Sequence, residues 1–321
     1  MTTRRDVVKT VGLGMMMPKQ ILLAEQKPSP SFIARMLSDH GMADPPERPD
    51  PHSWDPGTIT AAWIGHATVL INFFGTLILT DPVFSEKIGI NILGMATLGP
   101  RRLVRPALSI DELPPLDLIL LSHAHMDHLD FPSLRRLNKT TPLVMAKNTA
   151  DLLSRRGWKS ITELDWNEGA SISGLTVEAL EVTHFGWRFP WEADRSRGIR
   201  SGRSYNAYLI SKNGRHILFG GDTAYQEFFR KIGERGLAVD LAILPIGAYD
   251  PWIRVHANPE QAVAMAGHMN ARALMPIHWN TFTLSNEPQR EPIERLKKAL
   301  GDADPRLAID DTGKTWRLPA A

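Results

Sequence analysis

The chain contains no cysteine, an absence that excludes disulfides, thiolate metal sites and cysteine nucleophiles. Any metal must therefore sit on histidine and carboxylate. An excess of either charge is also missing: 37 Lys and Arg stand against 35 Asp and Glu, a formal +2. That is far from the balance of a dedicated nucleic-acid binder, so no nucleic-acid partner is expected. No segment carries the roughly 20 consecutive apolar residues of a membrane-spanning helix, and no low-complexity tract appears. What remains is 321 residues with 43% hydrophobic and 22% charged side chains, 24 Gly and 24 Pro. This is the composition of a loop-rich globular protein and excludes a disordered, coiled-coil or collagenous chain.

At the amino terminus, Thr3-Arg4-Arg5-Asp6-Val7-Val8-Lys9 precedes an apolar run from Thr10 to Ala24 that is interrupted at Pro18-Lys19-Gln20. The pattern resembles a twin-arginine export signal, in which a charged start leads into an apolar stretch too short to span a bilayer. It predicts a periplasmic or membrane-associated protein after export, and a cytoplasmic one otherwise. Residues 45–56, PPERPDPHSWDP, are too rich in Pro and Asp for helix or strand and read as a linker. The expected organisation is a leader and linker over residues 1–56 and a single domain over 57–321.

Within that domain, strand-like runs at Thr58–Ile64, Thr68–Phe73 and Thr76–Thr80 suggest an antiparallel start. Further strands are expected at Asp117–Ser122, Leu143–Ala146, Leu175–Thr183, Tyr205–Ser211, His216–Gly220, Asp240–Pro245 and Ala273–Ile277. Helices are expected at Phe131–Leu137, Asn148–Arg156, Tyr225–Glu234, Pro259–Met269 and Pro292–Leu300, the fourth with Asn258 as N-cap and Pro at its first position. Two successive mixed β/α halves predict two sheets packed face to face with helices outside, a four-layer αββα architecture.

The most informative stretch is Ser122-His123-Ala124-His125-Met126-Asp127-His128. An apolar strand runs directly into four candidate ligands, His at i and i+2, then Asp and His at i+4 and i+5. On a turn after a strand, alternate side chains of such a run converge on one point and the others face a second. Imidazole nitrogen and carboxylate oxygen suit Zn, Fe or Mn, and so dense a polar cluster would cost about 1–3 kcal/mol per unpaired buried group without a partner. Other candidates end later strands: His184, His278, and Asp222 after Gly220-Gly221, where missing side chains permit close backbone approach.

The His-x-His-x-Asp-His run resembles the signature of the metallo-β-lactamase superfamily. Within it, Trp63-Ile64-Gly65-His66-Ala67-Thr68, Leu79-Thr80-Asp81-Pro82, Gly221-Asp222-Thr223-Ala224-Tyr225, His256-Ala257-Asn258-Pro259 and Ile277-His278-Trp279-Asn280-Thr281 resemble the branch of the N-acylphosphatidylethanolamine-hydrolysing phospholipases D. The resemblance implies two Zn2+ per chain. His123, His125 and His184 would bind the first, Asp127, His128 and His278 the second, and Asp222 would bridge both. His66 and Asp81 would orient ligating histidines. The catalytic set implied is Asp127, Asp222 and His256, with Met126 and His256 near the substrate. Two cations lower the pKa of a shared water and clamp phosphoryl oxygens, so no protein nucleophile is needed.

The activity so implied is phospholipase D type hydrolysis of N-acylphosphatidylethanolamine or a related phospholipid or phosphodiester. Its rivals are a lactonase acting on a phosphorylated sugar and a membrane-associated binding protein with an unused metal site. The apolar run from Ile88 to Gly99, followed by Pro100-Arg101-Arg102, and the aromatic run Trp187-Arg188-Phe189-Pro190-Trp191 are candidates for peripheral membrane contact. The resemblance also suggests a homodimer.

Overall fold

The computed structural model describes residues 34–38, 40–92, 96–153, 156–193, 195, 201–301 and 303–319. The twin-arginine-like leader lies outside them, and the Ile88–Gly99 run lies partly outside. Fifteen strands are described: β1 Ile59–Gly65, β2 Thr68–Phe73, β3 Thr76–Thr80, β4 Ile90–Ile92, β5 Ala96–Leu98, β6 Leu118–Leu121, β7 Leu143–Ala146, β8 Ile161–Leu164, β9 Gly169–Ile172, β10 Leu175–Glu181, β11 Asn206–Lys212, β12 Arg215–Phe219, β13 Leu241–Pro245, β14 Leu274–Ile277 and β15 Thr315–Arg317. The α-helices with them are α1 Phe131–Arg136, α2 Arg230–Glu234, α3 Pro259–His268 and α4 Glu291–Leu300.

One sheet has the order β15-β1-β2-β3-β6-β7-β8 and the other β14-β13-β12-β11-β10-β9. Each is antiparallel at one end and parallel at the other: β3, β6, β7 and β8 run parallel, as do β12, β13 and β14. The apolar pattern explains the layering. Every residue of β1 is buried, and alternate side chains go to different cores. Ala61 and Trp63 enter the core between the sheets with Val177, Ala179 and Phe219, whereas Ala62 and Ile64 join Ile119, Leu121 and Leu134 of α1 on the outer face. Strands covered on both faces read as continuous apolar runs, not alternating ones. Ala262, Met265, Ile293 and Leu296 of α3 and α4 share a core with Leu274 and Leu218 on the outer face of the second sheet. The result is the four-layer αββα arrangement the sequence predicts.

Several elements differ from expectation. Asn148–Arg156 holds a 3-10 turn, Ala150–Leu152, because Asn148 and Gly157 both take left-handed backbone and the bonds between them run three residues back, Leu153 N to Ala150 O and Arg156 N to Leu153 O. The helix expected from Tyr225 is confined to Arg230–Glu234, since Gln226 Oε1 takes the Phe228 amide and bends the chain first. Strands β8, β9 and β15 occupy sheet edges, and within the described part of the Ile88–Gly99 run β4 pairs antiparallel with β5. The proline-rich stretch packs on the domain through Trp54 in the outer core, and Ala43, just before it, is bridged to Val104. No helix among the described residues is long and apolar enough to cross a membrane.

Candidate metal centre

Six strand ends deliver the site. His66 follows β1, Asp81 follows β3, the loop 122–130 follows β6, His184 follows β10, Asp222 follows β12 and His278 follows β14. Parallel pairing puts these ends on one edge of both sheets, where connections between strands can bring polar side chains together. The backbone is shaped for it. His66, Asp81 and His278 have φ of 57, 27 and 64, a conformation costing about 1–3 kcal/mol in a non-glycine residue unless the surroundings impose it. The surroundings do: the His66 carbonyl accepts from Trp63 Nε1 at 2.8 Å and from the His278 amide at 3.0 Å, and the His66 amide donates to Thr281 Oγ1 at 2.9 Å. Gly221, at φ +55, lies so close to Ser122 that a Cβ there would sit 2.6 Å from the Ser122 Cβ.

Two groups of ligating atoms result. His123, His125, His184 and Asp222 form one, and His66, Asp127, His128 and His278 the other, each within 4.8 Å. His123 Nε2 lies 2.8 Å from His125 Nδ1, which lies 3.2 Å from His184 Nε2. Asp222 touches both groups through Oδ2, at 3.1 Å from His128 Nε2, 3.2 Å from His278 Nε2, 3.8 Å from His184 Nε2 and 3.9 Å from His123 Nε2. His278 Nε2 is also 3.4 Å from Asp127 Oδ2, and His66 Nε2 donates to that oxygen at 3.0 Å.

The tautomers are set from behind. His184 Nδ1 donates to the Val255 carbonyl at 2.8 Å, leaving Nε2 as the ligating atom. Asp81 reaches both groups: Oδ2 accepts from His128 Nδ1 at 2.6 Å and from Ser122 Oγ at 2.5 Å, and Ser122 Oγ in turn accepts from His123 Nδ1 at 2.9 Å. Oδ1 takes the Ser122 amide at 2.7 Å. One buried carboxylate thereby turns a nitrogen lone pair of His123 and one of His128 toward the centre.

Burial pushes the imidazoles of His123 and His125 well below their ordinary value, helped by the neighbouring histidines. It lowers His184 to about 4, and His66 and His256 to about 3. His128 and His278 go the other way. Burial opposes their charge, but Asp222 and Asp127 raise His128 well above its ordinary value and His278 to about 9. Asp127 and Asp222 are held well below the usual carboxylate range, against their burial, chiefly by His128.

The donor set fits divalent cations. In the first group three imidazole nitrogens face one another, and two of these rings carry their protons on the far side. Hydrogen bonding satisfies such a triangle only in part; a cation satisfies it fully, and zinc–nitrogen bonds of about 2.1 Å would set the nitrogens roughly 3.4 Å apart. His128 Nε2 and His278 Nε2 of the second group lie at ion-pair distance from Asp222 Oδ2 without a well-formed hydrogen bond, and Asp222 Oδ1 is buried with no partner, an arrangement that is costly in the absence of a ligand.

His256 lies beside the ligands. Its Nδ1 is buried and unpartnered 3.9 Å from Asp222 Oδ2, and its ring stacks on His278 with centroids 5.3 Å apart. Met126 is half-buried on the ligand loop. Three contributors escape a reading of the sequence. Ser122 and Thr281 are linking hydroxyls, of which only Ser122 is signalled, by adjacency to the motif. Phe185, which lies against His125 with centroids at 4.3 Å and stacks on His184 at 4.6 Å, is signalled by nothing except its place after a ligand.

A family model described as a beta-lactamase superfamily domain matches residues 76–279. The chain belongs to the metallo-β-lactamase superfamily and is a metal-dependent hydrolase of that fold. Its branch is the one that contains the N-acyl-phosphatidylethanolamine-hydrolysing phospholipases D. The enzyme of that name numbered 1 in Caenorhabditis elegans is 31% identical over 280 residues, 80% of this chain and 75% of that one. An uncharacterized protein of Mycobacterium tuberculosis is 35% identical over 294 residues, 84% of this chain and 75% of its own. Among solved structures, an isothiocyanate hydrolase from Delia radicum gut bacteria superposes with a TM-score of 0.62 at 18% identity, covering 80% of this chain and 97% of that one. At that identity the likeness shows the fold alone.

Proposed function

We propose that the protein is a two-zinc phosphodiesterase of the phospholipase D type, hydrolysing N-acylphosphatidylethanolamine or a related phospholipid to an N-acylethanolamine and phosphatidic acid. The observation that carries this reading is Asp222, whose Oδ2 approaches histidines of both ligand groups and whose Oδ1 is buried without a partner. The relative in Caenorhabditis elegans supports the substrate class.

His123, His125 and His184 would hold one metal, Asp127, His128 and His278 the other, with Asp222 placed to serve both. Two divalent cations held there would supply an activated water and draw charge from the phosphoryl oxygens. Asp81 and Ser122 keep the ligating nitrogens of His123 and His128 turned inward, and His66 holds Asp127 by one oxygen. His256, kept neutral by burial, offers Nδ1 to a phosphoryl oxygen as an orienting hydrogen bond and not as a full charge. Met126, with Phe185 and Trp187 packed in sequence beside His125, supplies an apolar wall for the lipid.

The test is hydrolysis of N-acylphosphatidylethanolamine vesicles by the zinc-loaded protein, with products identified by mass and with His125→Ala and Asp222→Ala as controls. Release of both products, lost in both variants, supports the reading. An untouched lipid with a turned-over lactone replaces the substrate class and keeps the hydrolase.

A further inference from the structure

We propose that Arg188 is a positioning residue for the metal centre, a bracket that fastens the ligand loop of one sheet to the segment bearing His184 from the other. The inference rests on the metal-binding reading above. Arg188 follows His184 by four residues, yet the residue is buried, at 9% exposure. Its Nη1 donates to the Ala124 carbonyl at 2.7 Å and to the Leu129 carbonyl at 2.9 Å. Those two carbonyls flank His125, Met126, Asp127 and His128, so one nitrogen closes the loop that carries three of the proposed ligands. The guanidinium carbon rests 4.3 Å above the centre of the Phe131 ring, at the start of the helix that follows the loop, and Arg156 lies 3.9 Å from the same centre.

The bracket is itself anchored. Glu192 Oε2 accepts from the backbone amides of Arg188 at 2.6 Å and Phe189 at 3.2 Å, and Glu192 Oε1 pairs with Arg203 at 2.7 Å. This carboxylate thus grips the backbone of the arginine, and the side chain is spent on the ligand loop. Charge-assisted bonds to two carbonyls are stronger than neutral ones, and partners that support ligating residues from outside are typically worth about 10–100-fold in metal affinity. Nη1 is committed to the two loop carbonyls, and Nε is buried without a hydrogen-bond partner, so KM is measured alongside zinc affinity to separate bracing from contact with substrate.

The experiment compares wild type, Arg188→Met and Arg188→Lys. Zinc retention is followed under chelator competition, unfolding is measured with and without zinc, and kcat and KM are measured at limiting and excess zinc. Arg188→Met should bind zinc about 10–100-fold more weakly, with kcat restored by excess zinc and KM unchanged. Arg188→Lys, whose ammonium can still donate to both carbonyls, should fall between. Wild-type zinc retention in Arg188→Met would overturn the proposal, as would a raised KM that excess zinc does not correct, which would mean contact with substrate. A loss of stability equal in zinc-free and zinc-loaded protein, with zinc affinity intact, would reduce Arg188 to a structural role. Absence of zinc from the wild type would overturn the metal reading itself, a distinguishable failure.

Discussion

The two ligand groups hold their protons differently, and this has a measurable consequence. With no metal bound, burial keeps His123, His125 and His184 neutral near pH 7, whereas Asp222 and Asp127 keep His128 and His278 protonated, the latter up to about 9. Ligation requires the neutral ring. A cation entering the His128–His278 group must therefore displace protons, and its affinity should rise with pH until about 9, while the other group should show little pH dependence above neutrality. Zinc titration by calorimetry in buffers of different ionisation enthalpy should register release of roughly one to two protons per chain, confined to the step that fills the His128–His278 group. Equal proton release from both steps would contradict this assignment.

Asp81 belongs to the same scale. Replacing it by Ala orphans His128 Nδ1, the Ser122 amide and Ser122 Oγ, each worth about 1–3 kcal/mol when left buried and unpaired. The expected outcome is a substantially less stable protein that also loses zinc, read by denaturant unfolding and metal analysis. Asp81→Asn, which keeps an acceptor oxygen, should be milder. The aspartate's supporting place could be read from its position after an apolar strand. That it governs a ligand in each group could not, because Ser122 relays the contact to His123 and only the folded backbone brings them together.

Among the elements, the legible ones were those whose pattern is dictated by burial on both faces. β6 and β13 are continuous apolar runs, β1 and β2 are buried throughout with few polar residues, and α3 carries its Asn258 cap, with Asn258 Oδ1 accepting from Gln261 at 2.9 Å and Gln261 Oε1 returning the bond at 3.0 Å. Asn258→Ala should cost about 1 kcal/mol, seen as a lowered unfolding midpoint with zinc content unchanged. Of the edge strands, β14 was legible as an apolar run, but β8, β9 and β15 were not. β9 alternates between exposed and half-buried residues, β8 is mostly half-buried and β15 has three residues, so partners distant in sequence define them. Gly221 shows how an element's end and the site depend on one another. Gly221→Ala would force a Cβ against Ser122 in a left-handed conformation, moving Asp222, and should reduce zinc binding more than Asn258→Ala even where stability losses match.

At the scale of the molecule, the site is the seam of the sandwich. The ligand loop, Asp81 and His66 come from one sheet, His184, Asp222 and His278 from the other, and Trp63 joins core to site by packing against Trp279 at 5.3 Å while its indole holds the His66 carbonyl. Metals bound across that seam act as cross-links present only in the folded state. At a thousandfold excess over its dissociation constant, each site should add about 4 kcal/mol to stability, so chelation should lower the unfolding midpoint by several degrees and zinc should restore it. The motif made the ligand types legible in sequence, together with the two-halved fold. The bracing by Arg188 was not, since an arginine in a loop reads as surface until its carbonyl partners are folded around it.

The central claim is that Asp222 joins two metals into one centre. The most direct measurement is metal per chain, by elemental analysis with native mass spectrometry, on the zinc-reconstituted wild type and on Asp222→Ala. The account predicts two zinc ions per chain in the wild type and weakened retention of both in the variant. A single zinc in the wild type, or two retained undiminished in Asp222→Ala, would contradict it.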